Sequence, residues 1–377
     1  MSVQKITIQQ FLELAQTHPV LDVRSPGEYN HAHIPDAYSL PLFTDEERKV
    51  VGTAYKQQSR QTAIKIGLDY FGVKMRKMVE EMEVIIGNRQ QTISNKQQAN
   101  KKEEPLPIAN CLLIHCWRGG MRSTAIAWLL DLYGFKVYTL AGGYKAYRKW
   151  VRDQFEKSYT LNIIGGYTGS GKTLVLQQLQ QYSLPIIDLE ALANHKGSAF
   201  GALGEKLQPV QEMFENLLAK VLYKLSGSFK ASPLGGGLEG AWIEDESQRI
   251  GLLKIPDSFW KQMRDGKIFF IEIPFEERLG YLTKEYGKFD KEKLVDAIMR
   301  IQKRLGGLDT KTAINFLIED NHQECFRILL KYYDKCYSKG LYNRENVDSL
   351  LNKIPYGMVD AKGIAEILEG EMSNSIR

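Results

Sequence analysis

The run Gly166-Tyr167-Thr168-Gly169-Ser170-Gly171-Lys172-Thr173 constrains this chain more than any other segment. A G-x-x-x-x-G-K-T loop works only where an apolar strand delivers it and a helix begins as it ends. Both flanks are present: Leu161-Asn162-Ile163-Ile164 reads as a buried strand, and residues 174–181 have helical spacing. In that setting backbone N–H groups wrap a chain of phosphates, Lys172 neutralises it, and the Thr173 hydroxyl is placed for Mg²⁺. Strand candidates at 185–189, 241–243 and 268–273 complete a parallel α/β sheet. From Asp290 onward the pattern is mostly helical, with Ile298, Ile301, Leu305, Ile314, Phe316 and Leu317 as expected core.

A metal-orienting carboxylate belongs at the end of a neighbouring strand. Asp188 competes for that place with Glu244 and Asp245, and acidic strand ends are often only solvated. His195-Lys196-Gly197-Ser198-Ala199-Phe200-Gly201 is either a loop closing over phosphate or a plain turn. Arg278, soon after the strand ending at Ile273, either senses phosphate or solvates a helix. Phe200, Leu203, Phe214 and Trp242 either line a pocket or, more simply, fill the core.

The first half is built around a different anion loop, His115-Cys116-Trp117-Arg118-Gly119-Gly120-Met121-Arg122-Ser123. Cys111-Leu112-Leu113-Ile114-His115 reads as a buried strand delivering Cys116 at its carboxyl end. Residues 124–133 read as the following helix, ended by Gly134. A thiol is nucleophilic only as thiolate, so a group with an ordinary pKa of about 8.5 needs surroundings that favour negative charge. The backbone of Trp117, Gly119, Gly120 and Met121 offers N–H groups, the glycines curl freely, and Arg118 and Arg122 add cations. An inert core cysteine needs none of this; Cys111 fits that plainer description.

Elsewhere in this half, 6–16 reads as an amphipathic helix and 19–24 as a strand closed by the turn Ser25-Pro26-Gly27. Residues 71–86 read as a helix, and 136–140 as a strand closed by Gly142-Gly143. Such α/β alternation places ligands beyond the carboxyl ends of strands. Residues 87–107, rich in Gln, Asn and Lys, read as a flexible insertion.

At 377 residues, the chain is expected to form two domains, 1–150 and 151–377. Four scattered cysteines exclude a disulfide framework and a C-x-x-C zinc site. No apolar run is long enough to span a bilayer, and Met1-Ser2-Val3-Gln4-Lys5 lacks a leader's plan, so the cytoplasm is the expected location. The net charge of +5 is concentrated in residues 1–150, with 20 basic against 14 acidic side chains. Lys136, Lys145, Arg148, Lys149, Arg152 and Lys157 alternate there with Tyr144, Tyr147, Trp150 and Tyr159. That stretch either tracks a nucleic-acid backbone with stacking faces or is a connecting helix with solvated charges.

Around the cysteine loop, Leu21-Asp22-Val23-Arg24-Ser25-Pro26-Gly27-Glu28-Tyr29, His33-Ile34-Pro35-Asp36-Ala37, Leu40-Pro41 and Leu140-Ala141-Gly142-Gly143 resemble the rhodanese family. That resemblance implies a sulfur-carrier cysteine at Cys116. The spacing departs from the usual C-x4-R: Cys116 and Arg122 are C-x5-R, which together with His115 is also the signature of cysteine phosphatases.

Combined with the phosphate loop, Asp188-Leu189-Glu190 and His195-Lys196-Gly197-Ser198, the order of blocks resembles the bacterial tRNA 2-selenouridine synthase family. The resemblance implies a rhodanese-like α/β domain followed by a P-loop NTPase-like α/β domain with a mostly helical C-terminal part. It implies S-geranylation of wobble 2-thiouridine in tRNAs for Lys, Glu and Gln by geranyl diphosphate. Selenium from selenophosphate then replaces the thiogeranyl group through a selenosulfide on Cys116, with tRNA and transiently a selenophosphate-producing enzyme as partners. No permanent cofactor and no membrane are implied. Two other classes stay open: a rhodanese-fold phosphatase, and a P-loop ATPase or kinase with a degenerate rhodanese module.

Overall fold

The structure, a computed structural model, describes residues 3–99, 111–228 and 240–375. The chain divides into two compact units, Met1–Asp153 and Gln154–Arg377.

The first unit runs β1 (Gln4–Ile6), α1 (Ile8–Leu14), β2 (Val20–Asp22), α2 (Pro26–His31), β3 (Tyr38–Ser39), α3 (Asp45–Gln57), α4 (Arg60–Gly72), α5 (Met75–Ala99), β4 (Cys111–His115), α6 (Met121–Leu132), β5 (Lys136–Leu140) and α7 (Gly143–Phe155). Its strands form one parallel sheet in the order β1-β5-β4-β2-β3. All five residues of β4 are buried, as expected of a central parallel strand covered on both faces. Leu21, Val23, Leu112, Ile114, Ile126, Leu130 and Val137 share one core, each contributing about 1.5–3 kcal/mol by burial.

Local capping explains where the fold departs from the pattern of the sequence. Residues 6–16 are not one helix: Gln4–Ile6 pairs with β5, and Thr7 starts α1 through a capping box with Gln10. Ser25-Pro26-Gly27 is no free turn but the start of α2, with Ser25 and Glu28 as its capping box and Pro26 in the first turn. The helix α6 begins at Met121, three residues before its apolar spacing shows, because Gly120 is its cap. Helix α5 starts at Met75 and continues to Ala99, through the first part of the expected flexible insertion. Gln and Lys are good helix formers, so polarity there does not oppose helix; residues 100–107 lie outside the described residues.

The second unit runs β6 (Leu161–Gly166), α8 (Lys172–Gln181), β7 (Ile186–Ile187), α9 (Leu189–Ala193), α10 (Gln211–Ser228), β8 (Ala241–Glu244), β9 (Arg249–Ile250), β10 (Leu253–Lys254), α11 (Asp257–Asp265), β11 (Lys267–Glu272), α12 (Phe275–Tyr286), α13 (Lys291–Leu305), α14 (Gly307–Ile318), α15 (His322–Tyr342), α16 (Val347–Leu350), β12 (Leu351–Pro355) and α17 (Ala361–Ser375). Its main sheet is parallel, in the order β12-β11-β6-β8-β7, and β9 and β10 form a separate antiparallel pair.

One core lies around Val175, Leu179, Trp242, Ile271, Ile364 and Leu368. A second joins α12 to α15 through Leu279, Leu294, Ile298, Leu317, Phe326 and Leu330. Ile301 and Leu305 are buried there as expected, whereas Ile314 and Phe316 are half-buried against it. Phe214 and Trp242 have no exposure and are core. The strand β12 is the element the helical pattern conceals. Among the described residues no helix is long and apolar enough to cross a membrane.

Candidate active site

In the first unit, β4 ends at His115, and Cys116 stands where the strand opens into the loop. Register sets the surroundings: Asp22 at the end of β2 lies beside His115. Arg24 grips Asp22 with hydrogen bonds of 2.6–3.0 Å, donates to the Ala32 carbonyl at 2.7 Å and lies 3.8 Å above the Tyr144 ring. Both residues are buried, and their pairing keeps the charges matched. Burial holds the His115 imidazole below its ordinary pKa, against the pull of Asp22.

The sulfur of Cys116 accepts from the Gly120 N–H at 3.3 Å and meets the Ser123 hydroxyl at 3.3 Å. Burial opposes its ionisation, since the residue is 3% exposed. The Ser123 hydroxyl, the N–H groups of Gly120 and Ser123 and the Arg122 charge outweigh that and hold the thiol below its ordinary pKa. The early start of α6 puts Ser123 into the sulfur's wall, a position that apolar spacing did not reveal.

The two arginines divide. Arg122 is held by Glu28 at 2.7 Å, and Glu28 also takes Arg48 at 2.8 Å. Arg118 is exposed and makes no ion pair among the described residues. The back of the loop is fixed by α7, whose Tyr144 and Lys145 N–H groups donate to the carbonyls of Cys116 and Trp117 at 2.8 and 3.0 Å. Gly143, at φ +59°, packs so closely that a Cβ would stand 2.3 Å from the Cys116 carbonyl oxygen. Trp117 and Met121 form the exposed rim.

In the second unit, β6 delivers the loop and α8 starts at Lys172, whose amine donates to the Gly166 carbonyl at 3.0 Å. Pairing of Ile164 with Glu244 brings the end of β8 beside the loop. The Thr173 hydroxyl lies 2.7 Å from Glu244 and 3.0 Å from Glu190; its single proton serves one of them. Glu190, Glu244 and Glu246 gather ligand oxygens within 4.8 Å of one another. Burial raises all three carboxyls, with repulsion from Glu190 adding at Glu244 and Glu246 and repulsion from Asp188 adding at Glu190; Glu246 is pushed up to about 8. One Glu244 oxygen is buried without a hydrogen-bond partner.

The three strand-end acids have different surroundings. Glu244 is at the loop. Asp188 instead caps α9, accepting from the Ala191 N–H at 2.8 Å. Asp245 points to Tyr337, whose hydroxyl donates to it at 2.7 Å, and to Arg344. Glu190 and Glu246 were not among the expected site residues: Glu190 entered only within the Asp188-Leu189-Glu190 block of the resemblance, and the one sequence signal of Glu246 is acidity just past a strand.

The segment 195–201 packs against the trio: at Gly197, φ +65°, a Cβ would lie 2.5 Å from a Glu246 oxygen. Lys196 pairs with Glu205 at 3.7 Å, the Ser198 hydroxyl accepts from the Phe200 N–H, and His195 is buried with Nδ1 unpartnered. Arg278 fits neither expectation. It is 3% exposed, forks onto Asp334 with two bonds of 2.8 Å, and donates to the Thr168 carbonyl at 3.0 Å. It therefore braces the loop backbone.

Tyr337 and Ser338, with Asp334 on one face of α15, complete the brace by bonding the Gly166 N–H at 3.1 Å and the Tyr167 hydroxyl at 3.2 Å. Beside Thr168 is a narrow apolar recess lined by Phe200, Leu282, Tyr286, Leu330 and Tyr333, among others.

Residues 7–149 match the rhodanese-like domain family, and residues 159–352 match the family described as tRNA 2-selenouridine synthase AAA domain. The chain is 33% identical to the tRNA 2-selenouridine synthase of Hydrogenovibrio crunogenus, covering 87% of this chain and 90% of that protein. Against the enzyme of the same name from Shewanella woodyi, identity is 31% over 91% and 93% of the two chains. With that of Nitrosomonas europaea it is 35%, over 71% of this chain and 63% of the relative's length. The geometry and these likenesses together establish that the chain belongs to the tRNA 2-selenouridine synthase family.

Proposed function

We propose that this chain converts wobble 2-thiouridine of tRNAs for Lys, Glu and Gln to 2-selenouridine in the cytoplasm, drawing selenium from selenophosphate. One observation carries the reading: a recessed thiol biased toward thiolate at Cys116 and a phosphate loop flanked by an apolar recess occur in one chain.

The reaction divides between them. In the first step the thiouridine sulfur attacks C1 of geranyl diphosphate, the C–O bond breaks, and diphosphate departs into residues 166–173 with Lys172 beside it. In the second step selenium adds at C2 of the uridine and geranylthiolate leaves, an exchange without net oxidation. The Gly120 and Ser123 donors and Arg122 receive selenophosphate; the Cys116 thiolate displaces geranylthiolate at C2, water takes the phosphoryl group as the P–Se bond breaks to give phosphate, and the freed selenide displaces Cys116 from C2, so that every sulfur and selenium stays at its original oxidation level.

The donor set also fits Mg²⁺, since three carboxylates and the Thr173 hydroxyl converge and one buried oxygen is unpartnered. Glu190, Glu244, Glu246 and Thr173 would hold it, and when bound it supplies charge neutralisation for the leaving diphosphate.

Incubation with thiolated tRNA, geranyl diphosphate and selenophosphate, with the nucleosides identified by mass, tests the reading. S-geranyl-2-thiouridine and then 2-selenouridine are expected. Release of phosphate from p-nitrophenyl phosphate with neither nucleoside formed would replace the reading by a phosphatase.

A further inference from the structure

Helix α7 has two faces. Tyr144, Tyr147, Trp150 and Val151 point inward with 0–8% exposure, so three of the four aromatic residues that the sequence offered as stacking platforms are core, and the fourth, Tyr159, is half-buried beyond the helix. Lys145, Arg148, Lys149 and Arg152, at i, i+3, i+4 and i+7, share the other face. Lys149 pairs with Asp153 at 2.9 Å. Lys145 and Arg152 are exposed and make no ion pair among the described residues.

This stripe starts at the sulfur loop, because the Lys145 N–H donates to the Trp117 carbonyl at 3.0 Å. The indole of Trp117 is backed by Tyr144 at 5.7 Å and by the Arg24 guanidinium at 5.9 Å, yet 39% of the residue faces solvent. Arg118, with no ion pair among the described residues, stands next to it. A recessed sulfur, a braced flat ring at its rim and exposed cations leading away suit a single-stranded polyanion whose planar base is turned toward the sulfur.

We propose that Trp117, Arg118 and the Lys145–Arg152 face of α7 form the docking surface for the single-stranded anticodon loop. Trp117 stacks on the base presented to Cys116. The proposal rests on the RNA-modifying reading above and adds the surface and the specificity-determining residue.

The test uses the full chain and an anticodon stem-loop carrying 2-thiouridine, with binding measured against KCl concentration. Lys145→Gln/Arg152→Gln should lower the slope of log Kd on log[salt] by about 1.4, at about 0.7 for each single-strand phosphate that is no longer neutralised. The control pair Lys56→Gln/Lys65→Gln, on α3 and α4, should leave the slope unchanged. Trp117→Ala should raise the KM for the stem-loop about tenfold, with most of that recovered in Trp117→Phe and none in Trp117→Leu. The pH midpoint of Cys116 alkylation should not move in these Trp117 variants. A wild-type slope in the Lys145/Arg152 variant, or equal KM for the Phe and Leu variants, would overturn the surface. Failure of the RNA-modifying reading looks different: wild-type enzyme then forms neither modified nucleoside, whatever the slopes.

Discussion

The cysteine loop and the phosphate loop both stand beyond the carboxyl end of a buried parallel strand, but they draw support from different distances along the chain. Gly120 and Ser123, within the loop and the first turn of α6, close on the sulfur, with Glu28 and α7 behind them. Residues 166–173 lean on α15 through Asp334, Tyr337 and Ser338 and face carboxylates from two other segments. A site closed by near neighbours keeps its shape when its periphery changes; one propped from afar inherits the stability of its props.

The sharpest way to break the comparison is to remove each reacting centre. Cys116→Ser should cut selenation at least about 10³-fold while geranylation persists, and Lys172→Ala should damage geranylation while Cys116 keeps its alkylation profile. Equal loss of both products in both variants would end the division of labour.

Next in size, Arg278→Ala leaves Asp334 without its partner and frees the Thr168 carbonyl. It should destabilise the second unit by about 3 kcal/mol in urea unfolding, with the first unit's transition unmoved.

The carboxylate trio gives the two units different pH responses. Glu246 holds its proton up to about 8 in the fold against an ordinary 4.5. Its contribution is therefore full below about pH 4.5 and is lost as pH rises through about 8. Mg²⁺ should raise the melting temperature of the second unit at pH 8 and barely at pH 5. Glu246→Gln should flatten that difference.

Smaller effects sharpen the picture around the sulfur. Glu28→Gln keeps the capping box, since Gln serves there, but releases Arg122. The pH midpoint of iodoacetamide alkylation of Cys116 should fall. Ser123→Ala removes a hydrogen-bond donor from the thiolate, so that midpoint should rise. The smallest expected change is Tyr337→Phe, about 1 kcal/mol of stability for a hydroxyl shared by Gly166 and Asp245. Diphosphate affinity should fall with it.

The same contrast explains what the sequence made legible. Cys116, the glycines, the G-x-x-x-x-G-K-T run and strands β4 and β5 announce themselves because their chemistry and their spacing are local. Glu190 and Glu246 were hidden because an acidic residue past a strand end looks the same whether it meets Thr173 or water. Asp334, Tyr337 and Ser338 carry no signal at all: they read as ordinary polar positions on a helix, and only the packing of α12 to α15 brings them to the loop. Arg278 misled because its burial depends on Asp334. Tyr144, Tyr147 and Trp150 were ambiguous because alternating basic and aromatic residues describe an amphipathic helix and a nucleic-acid track equally well.

Gly143 sets a direction for redesign. With no space for even one methyl group behind the Cys116 carbonyl, the pocket wall on that side is incompressible, and a library that varies it would be dominated by misfolded clones. Adaptation to a heavier or lighter chalcogen should come from the solvent side, at positions 117, 118 and 121, where side chains can change size without disturbing the turn that anchors the sulfur.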